Sequence, residues 1–205
     1  MLKLRRAYPK VTAKLVELSP ADQIAGLRRG DLDVALVGNE GRVLTKDFYT
    51  QNLASYPAVA VLPRDHRLAN RRSISLRELK GEVFLSCLES DMPGRDKWVE
   101  AQCRREGFRP RFGPVSKSMA DAVSLMVSTS AVALVPAYML ALHLPGLRVM
   151  NLKDTKPSWD LIVVWHRGRA SAPLKGFLEA LQVAARECGE KKGQAVNVII
   201  LAEHT

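Results

Sequence analysis

The chain has 205 residues, enough to bury a sizeable core, and its 47% hydrophobic and 25% charged residues are typical of a soluble globular protein. No apolar run reaches the roughly 18 residues of a membrane-spanning helix, so we expect a cytoplasmic protein. The formal net charge of +10 favours polyanionic partners, but the sequence has no helix-turn-helix, zinc-finger or aromatic RNA-binding pattern, and solvated basic faces explain the charge more simply.

The first predicted elements form an α/β crossover between Leu2 and Gly38. A short helix ends at Tyr8, because the residue before a proline is disfavoured in the α region, and alternating apolar residues predict a strand from Val11 to Leu18. A near-continuous apolar run predicts a second strand from Val34 to Val37. Two strands joined by a helix are expected to pair in a parallel sheet.

The helix between these strands has clear signals at both ends. Ser19 suits the N-cap, Pro20 suits the first helical position, and Asp22 lies where an acid can complete a capping box. Gly30 supplies the left-handed residue at which the helix ends.

The rest of the chain continues to alternate strands and helices. We predict two strands within 47–62 (the second at 56–62), then strands at 83–87, 109–115, 131–135, 147–151 and 159–165, with helices at 75–79, 96–106, 118–128, 137–142 and 173–187. Crossings near Gly81 and Leu152 imply two α/β lobes joined by a hinge. The last helix has an apolar stripe of Leu174, Phe177, Leu178, Leu181 and Ala185.

The same helix start occurs in both lobes, as SPAD at 19–22 and SMAD at 118–121. Ligands of open α/β sheets bind beyond the carboxyl ends of strands, where helix N-termini offer unpaired N–H groups and partial positive charge. The repeat predicts a small anion, most simply a carboxylate, bound by Ser19 and Ser118. The alternative is that both serines are only helix caps.

Catalytic and metal-binding patterns are missing from the sequence. GxSxG, Walker A, GxGxxG and HExxH motifs do not occur, and His66, in a polar turn, is expected to be a surface or capping residue. Cys87, Cys103 and Cys188 are widely spaced and lack CxxC spacing, which argues against disulfides and a zinc site. We therefore expect binding rather than turnover, with no cofactor.

The order of several segments resembles the effector-binding domain of LysR-type transcriptional regulators. These are YPxV near the start, LRRGDLDVALVG at 27–38, AVAVLPRDHRLA at 58–69, LRELKGEVFL at 76–85, VALVPA at 132–137 and APLKGFLEAL at 172–181. The resemblance covers roughly residues 1–188. It implies a two-lobed, type II periplasmic-binding-protein-like α/β fold, whose Rossmann-like lobes are joined by a two-strand hinge.

Further expectations follow from this resemblance. Lobe I would comprise residues 1–80 and 152–205, and lobe II residues 81–151. The winged helix-turn-helix that contacts DNA in the family has no counterpart in this chain. Effector domains of the family pair into homodimers or higher homo-oligomers, and the candidate surfaces here are the helices at 20–29 and 118–128.

The predicted effector contacts lie in loops that would line the cleft between the lobes. The resemblance places Ser19 and Pro136 there, and loop position alone adds the others. The full predicted set is Ser19, Pro20, Leu88, Glu89, Ser90, Ser118, Met119 and Pro136.

Two other functions share the architecture. One is a solute-binding protein of a transporter, against which the missing signal peptide counts. The other is a truncated regulator that acts through mixed dimers. The apolar segment from Val196 to Leu201 is a strong strand signal; it would fill the position of the family's first-lobe strand that precedes the Leu2 helix, or else form an unstructured tail.

Overall fold

The computed structural model describes residues 14, 16, 18–38, 47–137, 144–153, 156–169 and 171–190. The predictions of a helix at 2–8 and a strand at 196–201, and most of those at 11–18 and 137–142, lie outside these residues. The helices in the described part of the chain are all too short or too polar to span a lipid bilayer.

The chain forms two compact units, Met1–Ser55 with Asp160–Thr205, and Tyr56–Trp159. The predicted lobes, residues 1–80 with 152–205 and residues 81–151, stay a prediction. The units divide within two long strands, β2 (Phe48–Pro63) and β8 (Ser158–His166). Strand β2 is one continuous element of 16 residues where two strands were predicted.

The first unit contains helix α1 (Pro20–Arg29), strand β1 (Val34–Val37) and the C-terminal helix α4 (Ala172–Glu190). Strand β1 pairs antiparallel with β8, with Val34 opposite Trp165, and β8 is in turn the neighbour of β2. This antiparallel neighbour was not predicted, because the sequence pattern shows burial on both faces but not the direction of the partner strand. A 3₁₀ turn at Arg167–Arg169 connects β8 to α4.

Helices α1 and α4 cover different faces of the first unit's strands. Ile24 and Leu27 of α1 pack with Phe48 and Ile162, among others, in one core cluster. The apolar stripe of α4 packs in a second cluster, which joins Leu174 and Leu178 to Val34 and Val163, with Phe177 partly buried against it. Leu181 and Ala185 are also buried, so the predicted apolar stripe is confirmed.

The second unit is built on the last part of β2. Residues Ala58–Val61 pair antiparallel with β6 (Ala133–Pro136), and Val59–Pro63 pair antiparallel with β7 (Leu147–Leu152). The short strand β3 (Ser73–Ile74) lies parallel to β7 and leads into a 3₁₀ helix at Leu76–Leu79.

A parallel pair of strands completes the second unit. Strand β4 (Val83–Cys87) pairs with β5 (Arg111–Ser116), and helix α2 (Arg95–Arg105) connects them. Helix α3 (Met119–Thr129) follows β5 and leads to Val132, which pairs parallel with Phe84. Phe84, Val99 and Cys103 are completely or almost completely buried in the core between β4 and α2.

Candidate functional site

The start of helix α1 has the predicted cap. Ser19 is the N-cap, and its hydroxyl oxygen accepts the Asp22 backbone N–H at 3.1 Å. The same hydroxyl donates to the Asp22 carboxylate at 2.7 Å, and Pro20 occupies the first helical position. Gly30 ends the helix at φ 90°, a conformation that residues with a Cβ rarely adopt.

The start of helix α3 repeats the arrangement in the second unit. Ser118 is the N-cap, and its hydroxyl accepts the Asp121 N–H at 3.1 Å. The Asp121 carboxylate accepts the Lys117 N–H at 2.9 Å. Ser118 and the following Met119 are exposed, so this helix start is open to a ligand.

Three carboxyl-terminal strand ends of the second unit meet at one edge. Strands β4 and β5 are parallel, and the segment leading into β6 runs parallel to β4 through the bridge between Phe84 and Val132. The loop at 88–94, the start of α3 and the end of β6 therefore lie at the same edge of these strands. We name this edge, with the starts of α2 and α3, the carboxyl edge.

The loop after β4 places Glu89 at the start of helix α2. Its carboxylate accepts the Gly94 N–H at 3.1 Å and lies 3.7 Å from the Lys97 ammonium. An exposed carboxylate thus occupies a helix N-terminus at the carboxyl edge, as an anionic ligand would. Leu88 closes a turn by accepting the Met92 N–H, and Ser90 donates to Asp91.

A buried cation beneath this edge was not predicted. Arg95, the first residue of α2, has a side chain that is 8% exposed. Its Nη1 donates to the Leu85 carbonyl at 2.5 Å and to Asp96 Oδ1 at 3.0 Å. Its Nη2 donates to the Leu134 carbonyl at 3.4 Å, so one guanidinium bridges β4 and β6.

Small polar groups continue this network toward β5. The Ser86 hydroxyl donates to Asp96 Oδ2, and the Ser116 hydroxyl donates to the Ser86 carbonyl at 3.1 Å. Cys87 Sγ lies 3.6 Å from Ser116 Oγ. One local feature of the sequence indicates a partner for Arg95. A cation in the first turn of a helix is disfavoured by the helix dipole unless another group offsets its charge.

The structure brings some of the predicted contacts together. Leu88, Glu89, Ser90, Ser118, Met119 and Pro136 all follow or end strands at the carboxyl edge. Pro136 is buried, opposite Ala58 of β2. Ser19 and Pro20 belong to the first unit, at the start of α1.

The remaining reactive side chains have structural roles. His66 Nδ1 accepts the Leu68 N–H at 3.2 Å, which confirms the capping role, but the side chain is 6% exposed rather than on the surface. Burial, with the Glu100 and Glu106 carboxylates, raises the pKa of the Cys103 thiol to about 12, so it is no nucleophile at neutral pH. The described residues include no cluster of three or more metal-ligating side chains.

Sequence comparison relates the chain to bacterial regulators. A profile of the LysR substrate binding domain matches residues 1–186. The Hca operon transcriptional activator HcaR of Escherichia coli (strain K12) is 28% identical over 182 residues, covering 89% of this chain and 60% of HcaR. The HTH-type transcriptional regulator BudR of Raoultella terrigena is 27% identical over 179 residues, covering 87% of this chain and 61% of BudR. The chain spans about three fifths of each.

Structure comparison confirms the predicted fold class. The BenM effector binding domain with its effector benzoate aligns with a TM-score of 0.74 at 18% identity, covering 98% of this chain and 89% of that one. LysR effector-binding domains have the two-lobed, type II periplasmic-binding-protein-like α/β fold, and this chain shares it.

Proposed function

The chain belongs to the LysR substrate-binding domain family, and we propose that it binds a small anionic metabolite in the predicted cleft between its lobes, without converting it. The proposed contacts are the predicted ones at the starts of α1 and α3, in the loop after β4 and at the end of β6. The observation that carries the proposal is the repeated Ser-capped helix start, at Ser19 and Ser118, each of which offers N–H donors and positive dipole ends to an anion.

A carboxylate is the ligand class that we favour. At the carboxyl edge, Ser118 and Met119 at the start of α3 are exposed, so the N–H groups and the positive dipole end of that helix are accessible to a negative group. BenM, which shares the fold, has benzoate as its effector, and benzoate is a carboxylate at neutral pH. These two observations support the same chemistry from different directions.

The action on DNA is a proposal about a longer assembly. The relatives described above are transcriptional regulators, and this chain matches about three fifths of their length. We propose that it reports effector binding, in the cytoplasm, to a winged-helix DNA-binding domain that pairs with it in a full-length regulator. We also propose that the domain forms a homodimer or a higher homo-oligomer.

Loss of the two caps tests the site. A thermal-shift screen of aromatic and aliphatic carboxylates, beginning with benzoate, would identify a ligand, because a ligand at a hundred times its Kd adds about 2.7 kcal/mol to stability. Ser19→Ala and Ser118→Ala should each lower the free energy of unfolding by about 1 kcal/mol, because a helix cap is lost. Each should also lower the affinity for the identified carboxylate, measured by titration calorimetry, about tenfold or more.

Ser75→Ala provides the matched control. Ser75 also caps a helix, the 3₁₀ helix at Leu76–Leu79, but it lies before β4 and away from the carboxyl edge. It should lose comparable stability and keep full affinity. If Ser19→Ala and Ser118→Ala bind the carboxylate as the unmodified protein does, the proposed site is wrong.

A further inference from the structure

Arginines from two distant segments meet at the edge opposite the predicted effector loops. Glu82 immediately precedes β4, whose first residue, Val83, pairs with Arg111 at the start of β5. The Arg67 guanidinium lies 2.9 Å from the Glu82 carboxylate. Arg77 Nε donates to the Glu106 carbonyl at 3.2 Å, which joins the 3₁₀ helix to the end of α2.

This amino edge of the β4–β5 pair has an excess of exposed positive charge. Arg67 and Arg71 are paired with the carboxylates of Glu82 and Glu78. Four further guanidiniums are exposed and, as far as the described residues go, form no ion pair; they belong to Arg77, Arg105, Arg109 and Arg111. Two further carboxylates lie on or next to helix α2: Glu106, at its end, and Glu100, which is paired with Arg104 at 2.6 Å.

We propose that this amino edge binds the phosphate backbone of duplex nucleic acid. Guanidinium groups bind phosphate oxygens with two parallel hydrogen bonds, and four of the exposed cations at this edge are arginines, beside the exposed Lys80 that lies two residues before Glu82. Side chains that lie exposed at a strand start and a helix end fit contacts to the backbone, which position a protein without reading bases.

Nucleic acid at the amino edge and an effector at the carboxyl edge would occupy different surfaces, so this proposal does not depend on the proposed function. Because β4 and β5 are parallel, their amino ends and carboxyl ends lie at opposite edges of the pair. A duplex at the amino edge therefore leaves the predicted effector loops of the second unit free. This binding is independent of any recognition motif, in keeping with the lack of one in the sequence.

Salt-dependent binding to a labelled duplex tests the proposal. Fluorescence anisotropy of a 20-base-pair duplex of arbitrary sequence, titrated with the full chain, should show binding at 50 mM salt that weakens about a hundredfold at 200 mM, as expected for about four phosphate contacts. Arg109→Gln combined with Arg111→Gln should reduce the slope of log affinity against log salt by about two.

The matched control removes the same charge from other surfaces. Lys156 precedes β8 and Lys175 lies in the first turns of α4, and both are exposed. Lys156→Gln combined with Lys175→Gln should leave the slope nearly unchanged, and circular dichroism melts should match for all three proteins. The proposal fails if both double variants lose affinity equally, if the unmodified chain does not bind at 50 mM salt, or if polyglutamate of equal charge binds more tightly than the duplex.

Discussion

At the scale of single residues, three serines cap helices in two different ways. Ser75 forms a full capping box, because Glu78, three residues on, accepts the Ser75 N–H at 2.9 Å. Ser19 and Ser118 are followed at that position by aspartates, which bind the Ser19 hydroxyl and the Lys117 N–H instead. An aspartate is one methylene shorter than a glutamate, so its carboxylate is less able to reach back to the N-cap N–H.

The capping box makes part of the stability depend on pH. The Ser75 N–H holds the pKa of Glu78 below its usual 4.5, and Arg71, Lys153 and Arg67 lower it further. A folded-state pKa below the unfolded value contributes stability that is present above pH 4.5 and lost as the pH falls through the folded value. Glu78→Gln should therefore melt at a lower temperature than the unmodified protein at pH 7, and this difference should shrink as the pH falls from 4.5 through the lowered pKa of Glu78.

The control for this prediction is Glu179→Gln on helix α4. Glu179 is exposed, and the described residues give it no ion-pair partner. The melting temperature of the Glu179→Gln variant should stay close to that of the unmodified protein at every pH. If Glu78→Gln lowers the melting temperature equally at pH 3.5 and pH 7, the charge of the Glu78 carboxylate is not the cause of the stabilisation.

At the scale of elements, helix α2 holds β4 and β6 together at the carboxyl edge. The ladder between β4 and the chain at Val132 has two bonds, Val132 N–H to Val83 and Leu85 N–H to Val132, each 2.8 Å. Beyond these, the Arg95 guanidinium connects the carbonyls of Leu85 and Leu134. Arg95 thus substitutes for backbone pairing where the two strands separate, and the Asp96 carboxylate offsets its charge.

Removal of this guanidinium should destabilise the second unit. Arg95→Met leaves the Asp96 carboxylate without its cation and two buried carbonyls without their donor, which should cost about 3 kcal/mol in urea unfolding. Arg104→Met, on the exposed face of the same helix, breaks a surface pair with Glu100 and should cost less than about 1 kcal/mol. Equal losses in the two variants would show that the Arg95 network does not stabilise the fold.

At the scale of the whole molecule, helix α3 presents apolar side chains on two sides. Met126 is buried, and Val123 is partly buried against the same core cluster, so substitution of Val123 would disturb the fold rather than an interface. Met119 and Val127 are 45% and 49% exposed and lie eight residues, about two turns, apart, about 80° from each other around the helix, where they form an exposed apolar stripe. Met119 belongs to the proposed effector contacts, so Val127 is the position of this stripe that is available to a second subunit.

A lysine in this exposed stripe should weaken the proposed homodimer. A two-fold contact uses the same surface of both subunits, so Val127→Lys introduces two charges into one interface and should shift sedimentation at tens of micromolar toward the monomer. Ser128→Lys places the same charge one residue on, about 100° around the helix, and should leave the distribution unchanged. Identical sedimentation of both variants and the unmodified protein would exclude this stripe from the interface.

The sequence by itself determined the features that depend on neighbouring residues. Strand β1 at Val34–Val37 and strand β4 at Val83–Cys87 have the predicted bounds, and the caps at Ser19 and Ser118 and the stop at Gly30 were also predicted. Apolar periodicity, a hydroxyl at a helix start and a glycine at its end act within a few residues, so a single sequence contains them.

Only the tertiary structure decided which distant groups meet. It paired β1 with β8, continued β2 through the point where the compact units divide, and buried Arg95 between β4 and β6. It also brought Arg77 to the same edge as Arg111. The partners in these contacts are separated by 10 to 131 residues. A strand or a guanidinium carries no local mark of the partner that will satisfy its hydrogen bonds, because that choice is made by the packing of the whole core.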